Sequence, residues 1–121
     1  MLLREAYAAF NTQDVDRLLA LLSDDVDWPE GSNRLHGKAA VRAYWLDQWS
    51  RIRSTHDEPE EFTQLSEQRT AVRIAQVVRA LDGSIVSRET FTHVHQIKDA
   101  HIARLDIMTA ADEQLATPSH S

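Results

Sequence analysis

Two histidines one residue apart, His93-Val94-His95, carry the clearest chemical potential in this 121-residue chain. In an extended segment that spacing puts both imidazoles on one face. Histidine is the natural proton donor and acceptor near neutral pH, with an unperturbed pKa of about 6.5. On a cavity wall beside apolar Val72 and Phe91, His93 could take or give a proton to a bound ligand, or hold its oxygen. The same pair could begin a metal site if His36 or His101 came near. No HExxH or carboxylate-flanked pattern joins them, so neither a metal nor any other cofactor is expected. Gln76 and Glu89 are further polar groups in segments that otherwise alternate. Gln48 interrupts an apolar helical stripe; it is either satisfied by nearby backbone or a donor aimed into a cavity.

The elements that must position these groups read as follows. Residues 71–81 alternate, with Val72, Ile74, Gln76 and Val78 on one face and Arg73, Ala75 and Val77 on the other. Asp82-Gly83 is a strong two-residue hairpin signal, because both residue types tolerate positive φ. If Leu81 faces Ser84, Val78 pairs with Ser87, Gln76 with Glu89, Ile74 with Phe91 and Val72 with His93. One sheet face then carries Gln76, Glu89, Phe91, His93, His95 and Ile97. Gln76 and Glu89, as cross-strand neighbours, either share a hydrogen bond near the turn end of the sheet or leave Glu89 solvated there. A last strand from His101 to Met108 is expected to turn Ala103, Leu105 and Ile107 inward. Residues 58–66 read as a weakly alternating strand.

Ahead of the strands lie helices. Leu3, Ala6, Tyr7 and Phe10 share one helical face. Asp14 can cap a second helix with Val15, Leu18, Leu19 and Leu22 on its stripe. Val26 and Trp28 point to one side of a short strand that Pro29 is expected to stop, and residues 30–36 read as a loop. Gly37 opens a third helix with Val41, Tyr44, Trp45, Gln48 and Ile52 on one face and Trp49 at its edge. Most of these aromatics suit plain core packing. Trp28, beside a proline at the expected pocket rim, suits a ligand contact.

Composition narrows the classes. The length is that of one domain able to build a core. With no cysteine, disulfides and thiolate chemistry are excluded. A net charge of -6 without a basic stripe argues against nucleic acid or an anionic membrane as partner. Arg4 and Glu5 interrupt the opening leucines, and no apolar run is long enough to span a membrane. A cytoplasmic protein is expected by elimination. The domain is expected over residues 1–109, with 110–121 a flexible tail.

Taken in order, Ala8-Ala9-Phe10-Asn11, Leu21-Leu22-Ser23-Asp24-Asp25-Val26-Asp27-Trp28, Leu35-His36-Gly37, Val41-Arg42-Ala43-Tyr44-Trp45, Phe91-Thr92-His93-Val94-His95 and Ile102-Ala103-Arg104-Leu105-Asp106-Ile107 resemble the nuclear-transport-factor-2-like superfamily, with its ketosteroid isomerases and SnoaL-like polyketide cyclases. The resemblance spans residues 3–109. It implies an α+β fold, a cone-shaped curved antiparallel sheet wrapped round three N-terminal helices and enclosing a pocket. It also implies a dimer packed through the convex sheet face; Ala75, Val77, Thr90, Thr92 and Val94 leave that face only half polar, which suits a partner, and Arg73, Arg88, Arg104 and Asp106 would then pair or fork across the interface. Carried over residue by residue, the isomerase's proton-shuttling Asp falls at Trp28 and its oxyanion acid at His93. Its phenol falls near Ala6, next to Tyr7. Base and phenol are thus expected to be missing, and steroid isomerase activity with them. The cyclases' Asp falls at Ile107, and the inner face holds no Asp-Arg-Asp set of the limonene-epoxide-hydrolase type.

The combined reading is a domain that binds a hydrophobic small molecule, with cofactor-free proton transfer or hydration centred on His93. Its ligand-binding set is Tyr7, Phe10, Trp28, Tyr44, Trp45, Gln48, Ile74, Gln76, Phe91, His95, Leu105 and Ile107. The alternative is a non-catalytic ligand-binding or dimerisation module of the same fold. An enzyme should keep open space beside His93; in a structural module Trp28 and Trp45 should fill it.

Overall fold

The apolar stripe of the first helix is deep enough to anchor everything that follows. In a computed structural model describing residues 2–30 and 33–108, α1 (Leu2–Asn11) buries Leu3, Ala6, Tyr7, Ala9 and Phe10. The expected tail, 110–121, lies outside the described residues. Asp14 caps α2 (Val15–Ala20) by accepting from the Arg17 backbone N–H. Leu22, expected on the α2 stripe, instead opens β1 (Leu22–Glu30) and is fully buried there. The Ile102 N–H donates to the Leu21 carbonyl, so strand pairing captures the chain before another helical turn forms.

Pro29 does not end β1. It pairs with Arg34 in a hairpin with β2 (Asn33–His36), which replaces the expected loop. So close to the hairpin tip a missing donor costs little. Gly37 then turns the chain with φ 88°, a conformation that disfavours any side chain, and its N–H donates to the Val26 carbonyl at 2.8 Å. From there α3 (Lys38–Asp47) runs into a π-helical turn, Gln48–Ile52, where a continuous α-helix was expected. That turn rotates Gln48 relative to the α-helical stripe.

The chain continues as β3 (Arg53–Gln64), β4 (Arg69–Ala80), β5 (Ile85–Lys98) and β6 (His101–Met108). β3 begins five residues ahead of the expected position 58. The six strands form one sheet in the order β2-β1-β6-β5-β4-β3. Every neighbour pair is antiparallel except β1 with β6, which is parallel. Three helices packed on one face of this curved, open sheet make the α+β cone.

The β4–β5 register agrees with the alternation: Val72 pairs with His93, Ile74 with Phe91, Gln76 with Glu89 and Val78 with Ser87. The turn itself differs. Pairing shifts after Val78, Arg79 meets Ile85, and Leu81–Ser84 form the connection. Gly83 takes φ 90° while Asp82 does not take a positive φ, so the tight turn needing two such residues is not made. Asp82 Oδ1 instead accepts from the Ser84 N–H and hydroxyl. In β6 a shift places Ile97 against Ile102 and Gln96 against Arg104. Ile102 is therefore fully buried and Ala103 only half-buried, which reverses the expected roles of those two residues.

On the outer face, Arg34 and Arg104 both donate to the Asp27 carboxylate, at 2.6 and 2.8 Å, and both reach Asp106. This lattice stitches β2, β1 and β6 where the parallel pairing is irregular. Among the described residues no helix is long and apolar enough to cross a membrane.

Leu3, Leu18, Val26, Val41, Val72 and Ile74 form the centre of the core, each 1% exposed or less. Ile74→Ala should cost about 2–5 kcal/mol in urea unfolding, the transfer loss plus a cavity. A loss under about 1 kcal/mol would mean that helix and sheet do not pack tightly at this point.

Candidate active site

Tyr7 and Asn11 stand one turn apart on α1, so both side chains leave the same helix face. The Tyr7 hydroxyl lies 2.8 Å from His93 Nδ1 and 2.7 Å from His95 Nε2. Asn11 clamps the backbone of Asp57, donating to its carbonyl and accepting its N–H, both at 2.8 Å. One helix thus fastens β5 through a phenol and β3 through an amide, passing over β4.

The Tyr7 hydroxyl has one proton and two imidazole neighbours, so one ring must accept and the other must donate. His95 Nδ1 is buried without a partner. If Tyr7 donated to His95 Nε2, the proton of neutral His95 would sit on that Nδ1, stranding a buried N–H. Orphaned buried donors are rarer than under-used acceptors. The favoured chain therefore runs from His95 Nε2–H to the Tyr7 oxygen, and from the Tyr7 O–H to His93 Nδ1. His93 then carries its proton on Nε2, which has no hydrogen-bond partner among the described residues. Burial lowers both imidazoles, His93 to about 3 with the charge of His95 adding, and His95 to about 4. Both rings are neutral at physiological pH. Burial also raises Tyr7, with the charge of Asp57 adding.

Asp57 is the group that the sequence reading missed. It is 5% exposed on β3. Gln76 donates to Asp57 Oδ1 at 2.9 Å, so the glutamine serves β3 rather than bonding to Glu89. Burial raises the Asp57 carboxyl to about 6, with the Gln76 hydrogen bond and the charge of His56 partly offsetting it. The strand was expected to start at residue 58, which left Asp57 without a face. The available signal was Gln76 itself, since a polar residue in an apolar stripe needs a polar partner.

These groups border a cavity of about 340 Å³. Tyr7, Phe10, Trp28, Tyr44, Trp45, Gln76, Phe91, His93, His95, Leu105 and Ile107 line it, joined by Thr55, Asp57, Ser87, Glu89 and Ile102. Trp28 and Trp45 stand on the wall and leave the space open. Two residues of the sequence-derived set lie elsewhere: Ile74 is fully enclosed in the core, and Gln48 sits in the π turn away from the cavity. Tyr7, the neighbour of the position where the isomerase phenol falls, lines the cavity with its hydroxyl bonded to both imidazoles. Among the described residues no arginine lines the cavity, and Asp106 faces the outer ion lattice. His101 donates to the Asp99 carbonyl at the β5–β6 turn and is not among the residues lining the cavity. Among the described residues no three metal-ligating side chains gather.

Comparison with known proteins agrees with this architecture. The family model of the SnoaL-like domain matches residues 3–105. An NTF2-like protein of unknown function from Burkholderia pseudomallei is 25% identical, with 98% of this chain and 95% of that one covered at a TM-score of 0.77. A polyketide cyclase-like protein from Sinorhizobium meliloti is also 25% identical, covering 88% and 93% at 0.75. An LEH-like epoxide hydrolase from M. tuberculosis, 14% identical over 92% and 82% at 0.77, shares the fold. Among curated proteins none matches the chain.

The buried groups set opposite pH dependences. His93 and His95 are lowered from 6.5, so the folded state binds fewer protons; their contribution is present above that value and is lost as pH falls. Asp57 is raised from 3.8 to about 6, so its burial penalty is relieved as pH falls through 6. Two imidazoles outweigh one carboxyl. Wild-type protein should lose stability from pH 7 to pH 5 in urea unfolding, and Asp57→Asn should lose it more steeply. Equal slopes would show that Asp57 does not titrate in this window.

Proposed function

This chain belongs to the SnoaL-like domain family, and we propose that it binds a hydrophobic carbonyl compound and moves a proton on it without a cofactor. The observation that carries the reading is a buried carboxylate with a raised pKa sharing one largely apolar cavity with a neutral Tyr–His donor chain. Such a cavity suits a flat apolar body held by a few polar groups. His93, with Nε2–H as donor, holds the carbonyl oxygen and stabilises it as it gains charge. Its low pKa makes it a hydrogen-bond donor rather than the general acid or base at neutral pH. That role passes to Asp57, whose pKa near 6 lies close enough to neutrality to take a proton and return it. Trp28, Phe10 and Trp45 give the apolar walls, with the Phe10 and Trp45 ring centroids 4.7 Å apart.

A flat, readily enolised ketone, 2-tetralone, tests this. In D2O the protein should accelerate exchange of its α-protons, followed by NMR: Asp57 takes the proton, the enolate oxygen accepts from His93, and a deuteron returns to carbon. Asp57→Asn should abolish the acceleration. His93→Ala should fold and bind the ketone more weakly by roughly 1–3 kcal/mol, the cost of leaving a buried polar group unpaired. Binding without exchange would leave the chain a non-catalytic ligand-binding module.

We also propose a homodimer through the convex sheet face. Ala75 and Val77 are half-buried and Thr90 exposed on that side, an apolar mixture that favours a partner. Arg104 and Asp106 are already paired within the chain, so Arg73 and Arg88 are the charges left to meet the second copy. Light scattering at micromolar concentration should give twice the 13.8 kDa chain mass; a monomer would refute the interface.

A further inference from the structure

The cavity wall has one sign of charge. Among its described lining residues the charged groups are Asp57 and Glu89, and there is no lysine or arginine. The register sets Asp57, Gln76 and Glu89 in one row across β3, β4 and β5. All three line the cavity, so the row faces the ligand. Gln76 gives a neutral amide N–H to Asp57 and no positive charge. Among the described residues Glu89 forms no ion pair. The imidazoles on the wall are neutral, for burial disfavours their charged form. A carboxylate enclosed with a single neutral donor is incompletely compensated, since buried charges ordinarily find an opposite one. Aromatic faces complete the wall: Phe10, Tyr44 and Trp45 form a cluster with centroid spacings of 4.7 and 4.9 Å. Carboxylates together with aromatic faces are the chemistry that receives an ammonium group.

Resting on the proposed function of this pocket, we infer that its ligand is a hydrophobic amino ketone, its ammonium held at the Glu89 end of the Asp57–Gln76–Glu89 row while Asp57 faces the carbon it deprotonates, and that the pocket rejects carboxylates. The discrimination arises twice. The ammonium supplies the missing countercharge as charge-assisted hydrogen bonds, while an anion of the same shape meets two like charges in a site with few compensating donors. His93 Nε2–H remains for an oxygen elsewhere on the ligand.

Three probes with one aromatic body separate charge from shape: 2-naphthylmethylamine, 2-naphthalenemethanol and 2-naphthoate, titrated by calorimetry at pH 7.5 and fixed ionic strength. The amine should bind about tenfold more tightly than the alcohol, and the carboxylate more weakly than either. Glu89→Gln, at an exposed position where folding is safe, should reduce the amine's advantage. Asp57→Asn, whose backbone clamp to Asn11 is untouched, should reduce it further. In Glu89→Gln the alcohol should bind as in the wild type. A carboxylate binding as tightly as the amine would overturn the inference. So would an amine advantage that survives both substitutions together. If none of the three probes binds while the protein is folded, the pocket reading fails, and the amine preference fails with it.

Discussion

A single phenolic hydroxyl holds the site in its geometry. Tyr7 reaches from α1 to both imidazoles of β5, and satisfying buried polar groups is a stringent requirement in a low-dielectric interior. Apolar packing alone would let α1 slide or rotate by fractions of a turn over the sheet. The Tyr7 oxygen can sit within 3 Å of two ring nitrogens in only one pose. Asn11 adds a second fixed point through the Asp57 backbone. With the helix pinned at β5 and β3, the stretch of sheet between them borders a cavity.

The same burial that secures the network changes its chemistry. Imidazoles enclosed this deeply stay neutral and act as directed hydrogen-bonding groups, so in the proposed reaction the familiar acid–base residue is not the proton carrier. The carboxylate moves the other way, toward a pKa where it can exchange protons near neutrality. Environments that push ionisable groups apart in this manner assign roles that residue type alone does not.

Charge is partitioned between the two faces of the sheet. Arg34 and Arg104 spend their guanidinium groups on Asp27 and Asp106 outside, where they brace the irregular parallel pairing of β1 with β6. The inner face is left with carboxylates, a glutamine and neutral rings. Asp106, one residue from Ile107, belongs to the outer lattice because strand alternation sends adjacent side chains to opposite faces. The buried carboxylate of the pocket, Asp57, comes instead from β3, at the other flank of the sheet.

The sequence by itself determined the three helices, the α1 stripe and the β4–β5 register, because each rests on local periodicity repeated over many residues. That register alone brought His93, Phe91 and Gln76 to one face. It could not decide where Leu22 belongs, since a leucine satisfies a helix stripe or a buried strand equally, and pairing of Leu21 with Ile102 settled it. Nor could it foresee the π turn that takes Gln48 off the cavity, or the bulge that exchanges Ala103 for Ile102. Asp57 was hidden because β3 alternates weakly, with polar residues on both faces, and its inward phase is set only by pairing with β4. Tyr7's role was equally beyond reach: its contacts to His93 and His95 span 86 and 88 residues. Local pattern encodes which face a side chain takes; only the tertiary structure decides which distant groups share that face, and how burial then alters their protonation.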